Sequence, residues 1–268
     1  MEDFFERLAE LIRRHPRVVL ATVVSKGGSA PREAGARMAV APDGSVLGTV
    51  GGGILEKRVV EDALAVLAEG RPRLARYDLV EEPAGGIGAE CGGRCEVFLE
   101  PVGSPPHLVI LGAGHVGLAL ARLGRDAGFR VTVVDDRTEW AAGAASTGAE
   151  VVRSSTDDPG LRSLVTAETA VVVVTRSHLL DRESLRNVLG TPAFYVGMIG
   201  SRRKVSREME ILGAEGIDPA LLDRVHAPIG LDIGAETPAE IAIAILAEIV
   251  AVRRTGRTPS SSLKGSGG

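Results

Sequence analysis

The sequence feature that most restricts the fold is a G-x-G-x-x-G pattern formed by Gly112, Gly114 and Gly117. It follows the apolar segment HLVILG and precedes a helical pattern, and Asp135 ends the next apolar segment eighteen positions after Gly117. In a strand–loop–helix unit such glycines permit a tight turn, a close ligand approach and close helix packing, while the helix N-terminus attracts phosphate. An acidic residue about 20 positions onward commonly binds a ribose hydroxyl. The pattern predicts a Rossmann-type unit, in which the glycines either bind a nucleotide or serve only turn geometry and packing.

The GSPP run at Gly103–Pro106 predicts a domain boundary, because consecutive prolines interrupt regular elements. Before it, an amphipathic helix, the strand RVVLATVV and the hairpin pattern ARMAVAPDGSVLGTV indicate an α+β domain over residues 1–104. After it, apolar strands alternate with helices, which is typical of a doubly wound parallel sheet, over residues 105–256. We therefore predict an α/β protein of two domains, with a disordered tail over residues 257–268.

Charge and composition exclude several classes of protein. The balance of 31 basic against 35 acidic residues argues against nucleic acid as a partner. The opening MEDFFERLAELIRR lacks the basic start and apolar core of a secretory signal, and the apolar stretch from Ile241 is interrupted by Glu248 and is too short for a bilayer. With only two cysteines, a disulfide scaffold is excluded. We expect a cytoplasmic protein that does not bind membranes.

Two histidines are candidate ligand contacts in the second domain. His115 opens the fingerprint helix, and His178 follows the apolar strand TAVVVVT. In the usual 3-2-1-4 strand order these loops are neighbours, so both side chains can face one ligand. Asp181, three positions after His178, can orient its imidazole if a helix begins there. Alternatively, both histidines merely satisfy backbone groups. His226, which precedes APIGLDIGAETPAE, either approaches the same crevice or makes a local hydrogen bond.

The segment GSRRK follows another predicted strand and opens a helix. Ser201 can cap that helix, while Arg202, Arg203 and Lys204 supply positive charge beside free backbone donors. This combination suits a phosphate or a carboxylate. A solvated helix face is the alternative.

Cys91 is followed by two glycines, which leave its thiol uncrowded. If nearby cations depress its pKa, the thiolate can accept sulfur or touch a soft metal, although a buried inert thiol fits the same sequence. Cys95 alternates within RCEVFLEP and is predicted to pack in the core. The C-x-x-x-C spacing lacks two further ligands, so we predict no metal site.

Seven segments together carry a resemblance to a known family. They are GSAPREAGARM, GTVGGGILE, CGG with FLEP, GAGHVG, VVDDR, GMIGSRRK and APIGLDIGAETPAEIA, and they extend from about Ala21 to Ala251. In this order they resemble the XdhC/CoxI family of xanthine dehydrogenase accessory factors. Cys95 departs from the pattern, which usually has an aliphatic residue there.

The resemblance implies a maturation factor that binds the molybdenum cofactor, keeps its sulfurated form from loss and delivers it to a molybdenum hydroxylase of the xanthine dehydrogenase type. It also implies association with a cysteine desulfurase and a homodimer. Molybdopterin is a pterin with a dithiolene and a phosphate, so helix N-termini and arginines suit its anionic end, and both domains can contribute. Carried onto this chain, the family segments place the following among the candidate contacts: Ser29, Pro31, Arg32, Gly51, Gly52, Gly53, Glu56, Cys91, Ser201, Arg202, Arg203 and Lys204.

Three functional hypotheses follow from these residues. The first is a cofactor chaperone without turnover of its own. The second is an NAD(P)-dependent oxidoreductase, for which His178 with Asp181 is the one acid–base pair the sequence offers, and the third is a chaperone regulated by a nucleotide. The catalytic candidates are Cys91, His178 and Asp181, and the fingerprint half adds these candidate cofactor contacts: Gly112, Gly114, His115, Gly117, Asp135 and His178.

Overall fold

The computed structural model describes residues 2–15, 17–28, 32–79 and 93–265. Contacts within the chain divide it into two compact units, Met1–Ser104 and Pro105–Gly268. The first unit contains an antiparallel sheet and the second a parallel sheet wrapped by helices. The predicted α/β class, an α+β part followed by a Rossmann-like part, is confirmed.

The N-terminal unit has a five-stranded sheet of order β3-β2-β1-β5-β4, in which all neighbours are antiparallel. The hairpin expected around the Pro-Asp-Gly turn is the β2–β3 pair. The elements are α1 (Glu2–Arg14), β1 (Arg17–Gly27), β2 (Arg37–Val40), β3 (Val46–Gly48), α2 (Gly53–Glu69), β4 (Arg73–Leu79) and β5 (Gly93–Gly103).

The two helices of this unit cover opposite faces of its sheet. Because side chains alternate along a strand, Val19, Ala21 and Val23 of β1 pack on the α2 side, whereas Val18 packs with Leu8 of α1. All five side chains are buried. The sheet therefore has an apolar core on each face.

The C-terminal unit alternates strands and helices along the chain. Its elements are β6 (His107–Leu111), α3 (His115–Asp126), β7 (Arg130–Val134), α4 (Thr138–Ala145), β8 (Glu150–Val152), a 3-10 helix (Pro159–Leu164), β9 (Thr169–Val173), α5 (His178–Val188), β10 (Tyr195–Met198), α6 (Arg202–Ala214), α7 (Pro219–Asp223), β11 (Val225–His226) and α8 (Pro238–Thr255).

The sheet of this unit has the order β8-β7-β6-β9-β10-β11, and all five strand pairs are parallel. Numbered from β6, this is the 3-2-1-4-5-6 order of a doubly wound dinucleotide-binding fold. Leu108 and Ile110 of β6 face the core that includes α3 and α8, whereas Val109 and Leu111 face the core that includes α5 and α6. Burial on both faces explains why β6 is apolar throughout.

The last helix begins as its sequence predicts. Thr237 accepts a hydrogen bond from the Glu240 backbone, the Glu240 side chain accepts one from the Thr237 backbone, and Pro238 occupies the first turn. This reciprocal pair is a capping box, which satisfies backbone donors that a helix start leaves unpaired. Within the described part of the chain, no helix has both the length and the apolar character that a membrane crossing requires.

The C-terminal segment differs from the disordered tail expected from residue 257. Up to Gly265 it packs on the second unit: the Asp232 amide donates to the Ser261 carbonyl at 2.7 Å and the Leu263 amide donates to the Gly230 carbonyl at 2.9 Å. Ser262 is fully buried, and its hydroxyl donates a hydrogen bond to Glu248 Oε1. A polar sequence is ordered here because its hydrogen-bonding groups find buried partners, which composition does not reveal.

His107, at the start of β6, predicts a pH dependence of stability. The residue is 3% exposed, and its Nε2 lies 2.8 Å from Thr132 Oγ1. Burial, reinforced by the charge of Arg130, lowers the pKa of His107 from 6.5 to about 4. Between these two pH values His107 is protonated in the unfolded chain but neutral in the folded protein. The free energy of unfolding therefore falls as the pH drops from about 6.5 to about 4, by about 3 kcal/mol in total.

Urea denaturation across this pH range, compared with His107→Gln, measures the effect. The variant lacks the titrating group, so its stability is expected to vary less steeply with pH than that of the parent. Parallel stability curves for the two proteins would contradict the assignment.

Candidate functional site

The candidate site lies at the switch point of the parallel sheet. From the central pair β6 and β9 the strand order runs outward in both directions, and ligands of such folds bind at the carboxyl ends of the strands there. The structure has a crevice at this position, which we call the switch-point crevice. It is lined by Gly112, Asp135, Asp136, Arg137, Ser155, Thr156, Thr175, Arg176 and Leu180.

Two of the three fingerprint glycines are required by packing. Gly112 has φ +116°, and a Cβ there would clash with the carbonyl oxygen of Val174. A Cβ on Gly117 would clash with the carbonyl oxygen of Gly112. Gly112 lets the loop that connects β6 to α3 pass close to the end of β9, and Gly117 lets α3 approach that loop.

Gly114 differs from its two neighbours. It precedes α3 with an ordinary φ of −64°, and within the described residues no side chain caps the helix there. A Cβ on Gly114 would meet no described atom within 4 Å. The backbone at the start of α3 is therefore open to a close approach, and its N–H groups favour an anion.

Asp135, the predicted ribose acceptor, is 3% exposed and already accepts four hydrogen bonds. The donors are the Ala113 amide at 2.8 Å and, from Arg137, the amide at 3.0 Å, Nε at 2.9 Å and Nη2 at 2.8 Å. Burial alone raises the pKa of Asp135, but the bonds from Arg137 and Ala113 outweigh it and the pKa is lowered. A ribose hydroxyl would have to displace the Arg137 side chain to reach this carboxylate.

A second ion pair joins two loops of the crevice. Arg176, after β9, donates Nη1 to Asp136 Oδ1 at 2.5 Å and Nη2 to Asp136 Oδ2 at 3.1 Å. The side chains are 44% and 43% exposed. The hydrogen bond lowers the pKa of Asp136 and raises that of Arg176. Unlike the buried Asp135 pair, this pair is in contact with solvent.

An aromatic residue lies beside the fingerprint. The Trp140 ring contacts the exposed His115 edge-on, with centroids 5.2 Å apart, and the Arg137 guanidinium lies 5.0 Å from its centroid. Trp140 is the single tryptophan of the sequence. The protein therefore carries one tryptophan fluorophore, and it is at the candidate site.

The predicted pairing of His178 with Asp181 is replaced by a different chain of contacts. Asp181 is 1% exposed; its Oδ1 accepts from the Thr175 amide at 3.0 Å and from Thr175 Oγ1 at 2.7 Å, and its Oδ2 accepts from Lys204 Nζ at 2.7 Å. His178 is exposed at the start of α5. Asp181 thus fixes the loop after β9 through Thr175 rather than orienting an imidazole. The Lys204 ammonium supplies the cation that a buried carboxylate requires.

The GSRRK segment is only partly as expected. Ser201 caps α6 by accepting from the Lys204 amide at 3.3 Å, as predicted. Arg202 and Arg203 are exposed at the start of this helix, whereas the Lys204 ammonium is turned to Asp181. Its positive charge is therefore neutralised within the protein.

The sequence patterns do not predict a buried polar cluster that lies near the C-terminus. Glu248 is fully buried and accepts hydrogen bonds from Tyr195 at 2.5 Å, from the Gly230 amide at 2.9 Å and from Ser262. His226, stacked on Tyr195 with centroids 4.3 Å apart, has its Nδ1 3.4 Å from Glu248. The signal was the one acidic residue interrupting an apolar helix.

The glycine loop of the N-terminal unit is occupied by a side chain of its own unit. Glu56 Oε1 accepts from the amides of Val50 at 3.1 Å, Gly51 at 3.3 Å and Gly52 at 2.9 Å, and from the Thr49 hydroxyl. Burial raises the pKa of Glu56, but these bonds outweigh it and the pKa is lowered. These backbone donors are bonded to Glu56, so a ligand that used them would have to displace its carboxylate.

Other predicted contacts have different outcomes. Arg32 is exposed. Cys95 is buried in β5, and burial raises the pKa of its thiol, in keeping with a packing role. Among the residues that the structure describes, no group of three or more His, Cys, Asp and Glu side chains is placed to hold a metal ion. Ser29, Pro31 and Cys91 lie outside the described residues.

Comparison with known proteins defines the class of protein. A family model described as the XdhC Rossmann domain matches residues 108–249, which contain the switch-point crevice. A second model, described as the XdhC and CoxI family, matches residues 11–78 of the N-terminal unit. The chain belongs to the XdhC/CoxI family.

Relatives match along most of this chain. The uncharacterized protein YqeB of Escherichia coli K12 is 36% identical over 94% of this chain, which spans 46% of YqeB, about half its length. The molybdenum cofactor insertion chaperone PaoD of the same organism is 29% identical over 88% of this chain and 83% of PaoD. The crystal structure of a xanthine dehydrogenase from Bacillus halodurans has the same fold, with a TM-score of 0.51 and 24% identity over 97% of this chain and 98% of that one.

Proposed function

We propose that this protein is a maturation factor that binds the molybdenum cofactor and delivers it to a molybdenum hydroxylase of the xanthine dehydrogenase type, without turnover of its own. Family membership supports this role, as does similarity to PaoD over most of both chains. The sulfurated cofactor is the proposed cargo, and a cysteine desulfurase and the recipient hydroxylase are the proposed partners. The structural observation on which the proposal depends is the open backbone at Gly114.

The residues beside the crevice fit an anionic, flat ligand. Gly114 leaves room for a ring to approach the backbone, and the start of α3 offers N–H groups to a phosphate. Arg202 and Arg203 are outside the crevice lining; they precede Lys204, which bonds Asp181, and Asp181 in turn bonds Thr175 of the crevice. We propose that these two exposed arginines supply positive charge to the ligand. When bound, the cofactor supplies the molybdenum centre for the recipient, while this chain binds and orients it. In the N-terminal unit, Arg32 and the glycine loop held by Glu56 remain predicted contacts.

An NAD(P)-dependent oxidoreductase is the second candidate, favoured by the fingerprint and the strand order. Two contacts weigh against it: Asp135 is saturated by Arg137 and Ala113, and Asp181 is bonded to Lys204 rather than to His178. Titration with NAD(H) and NADP(H), followed by Trp140 fluorescence, separates the candidates. Tight binding together with hydride transfer would favour the oxidoreductase.

Substituting Gly114 by Ala tests the proposed site. We expect the free energy of unfolding to change by no more than about 0.5 kcal/mol, because φ is ordinary there and the added methyl group meets no described atom. We expect cofactor affinity to fall about tenfold or more, because that methyl group stands where the ligand approaches the backbone. The measurement is anaerobic cofactor binding, followed by transfer to an apo-hydroxylase whose activity rises as the donor loses cofactor.

Gly213→Ala is the matched control, since Gly213 is an exposed glycine within α6 with ordinary space around its Cα. It is expected to leave binding and transfer unchanged and to raise stability slightly, because Ala is the better helix former. A folded Gly114→Ala protein that binds and transfers cofactor like the parent would contradict the proposed site.

A further inference from the structure

We propose that Arg176 is the anion receptor of the switch-point crevice and that Asp136 occupies it as an internal competitor, so that a phosphoester group of the ligand binds by replacing the Asp136 carboxylate. This inference deepens the proposed function, on which it rests, by naming how the anionic end of the ligand is received. It concerns a residue that the sequence patterns did not single out.

The position of Arg176 beside the fingerprint is fixed by backbone packing. The Val174 carbonyl approaches Gly112 so closely that no Cβ fits between them. The Val174 amide also donates to the Leu111 carbonyl at 2.9 Å, which joins the two strand ends. Arg176 follows two residues later and lines the crevice together with Gly112. Arg176 therefore lies in the same crevice as the first fingerprint glycine, at the edge of the sheet where ligands of this fold bind.

The charges that line the crevice balance while both ion pairs are closed. Asp135 and Asp136 supply two negative charges, and Arg137 and Arg176 supply two positive ones. A phosphoester therefore meets no surplus positive charge until one carboxylate leaves. Desolvation decides which of the two ion pairs can open. A buried charge that loses its partner raises the free energy far more than an exposed charge does.

Only one of these two pairs is built to open. The Asp135 side chain is 4% exposed and holds the Ala113 amide as well as Arg137, so breaking its pair would also release the fingerprint loop. The Asp136–Arg176 pair is 43–44% exposed and joins two different loops. Exposed ion pairs contribute little to stability, so a competing anion can open this one at small cost.

The geometry of the released arginine suits a phosphate. Arg176 already donates two parallel N–H groups to the two oxygens of Asp136. The same fork matches two oxygens of a phosphate, and a dianionic phosphomonoester attracts it more strongly than a carboxylate does. Asp136 thus acts as a stand-in for the ligand's own anion.

Fluorescence titration of the full chain tests the exchange, because Trp140 lies next to Arg137 at the same crevice. The probes are inorganic pyrophosphate, ADP and a pterin phosphomonoester. We expect Asp136→Asn to tighten binding of the probes about fivefold, since the competitor is gone, and Arg176→Gln to weaken it at least about tenfold. The double variant is expected to bind as weakly as Arg176→Gln alone.

A matched control is the exposed pair of Arg94 and Asp78 in the N-terminal unit, which are 2.6 Å apart with side chains 69% and 52% exposed. Asp78→Asn is expected to leave probe binding unchanged. Tighter binding of ADP would indicate that the ligand ring is a nucleoside, and tighter binding of the pterin would indicate that it is the cofactor. Either result supports the exchange if the variants respond as stated.

Unchanged or weaker probe binding by a folded Asp136→Asn protein would overturn the proposal, as would unchanged binding by Arg176→Gln. Circular dichroism and Tm establish that each variant is folded. Because probe binding and cofactor transfer are separate readouts, the two proposals fail separately. Absent transfer with the expected probe affinities would refute the maturation role alone, whereas transfer with probe affinities insensitive to Asp136 would refute the exchange alone.

Discussion

Replacing Glu248 by Ala is expected to lower the free energy of unfolding by about 3–5 kcal/mol. The side chain is fully buried in α8 and accepts hydrogen bonds from Tyr195, the Gly230 amide and Ser262. Alanine leaves these donors buried without their acceptor, and it also detaches the C-terminal segment at Ser262. The loss therefore combines unsatisfied polar groups with lost packing of residues 257–265.

Urea denaturation at neutral pH measures this loss. The matched control is Glu210→Ala, the same substitution at an exposed position of α6 in the same unit, where the carboxylate accepts a surface hydrogen bond from Ser206. A change within about 0.5 kcal/mol is expected for this control, because water replaces such a bond readily. Glu248→Gln keeps an acceptor oxygen without the charge, so it is expected to fall between the parent and Glu248→Ala. A loss below about 1 kcal/mol for Glu248→Ala would show that the cluster is not a determinant of stability.

The same residue gives an acid dependence. Burial opposes ionisation, but the nearby His226 ring and hydrogen bonds from Ser262, Tyr195 and the Gly230 amide outweigh it and lower the pKa of Glu248 to about 2, from 4.5. Its contribution to stability is fully present above about pH 4.5 and is lost as the pH falls toward 2. Glu248→Gln is expected to lack this component of the acid transition.

Substituting Gly117 by Ala is expected to destabilise the protein by about 3 kcal/mol or more and to abolish binding at the crevice. The added Cβ clashes with the Gly112 carbonyl oxygen, which is backbone and cannot rotate away. The clash is removed only if α3 moves away from the fingerprint loop. Such a movement disturbs the core, because α3 packs there through Leu120 and Ala121. The clash is therefore expected to lower the stability of the fold and to distort the binding site.

Denaturant unfolding of Gly117→Ala beside Gly114→Ala makes the comparison direct, because the same methyl group is added three residues apart on one loop. The account predicts a large loss of stability for Gly117→Ala and almost none for Gly114→Ala. Equal stability losses would contradict the assignment of Gly117 to packing and of Gly114 to ligand approach.

Signals that are local in the sequence predicted the fold well. The fingerprint, the alternation of apolar strands with helices and the Pro-Asp-Gly turn each need only a few neighbouring residues, and each has its expected structure. The helix starts at Ser201 and Thr237 were likewise predicted, because a capping side chain bonds a backbone donor three positions away. Such contacts are largely independent of the rest of the chain.

Contacts between distant residues were not predictable in the same way. Lys204 is 23 positions from Asp181, and Ser262 is 14 positions from Glu248, so no periodicity indicates either pair. Proximity in the sequence therefore indicates the nearest histidine as the partner of Asp181, and polar composition predicts a disordered C-terminal segment; the structure differs on both. Glu56 differs because its contact is local in the sequence. A carboxylate four positions after Gly52 can reach back to the amides of the glycine loop, so the helix-capping pattern indicates this contact.

The central claim is that the protein carries the molybdenum cofactor and hands it on. Native mass spectrometry of protein purified without oxygen from cells that make this cofactor tests it most directly. The account predicts a bound mass that contains a pterin and molybdenum, which disappears after mixing with an apo-hydroxylase. A protein that carries only a nicotinamide dinucleotide, or that keeps its pterin after mixing, would contradict it.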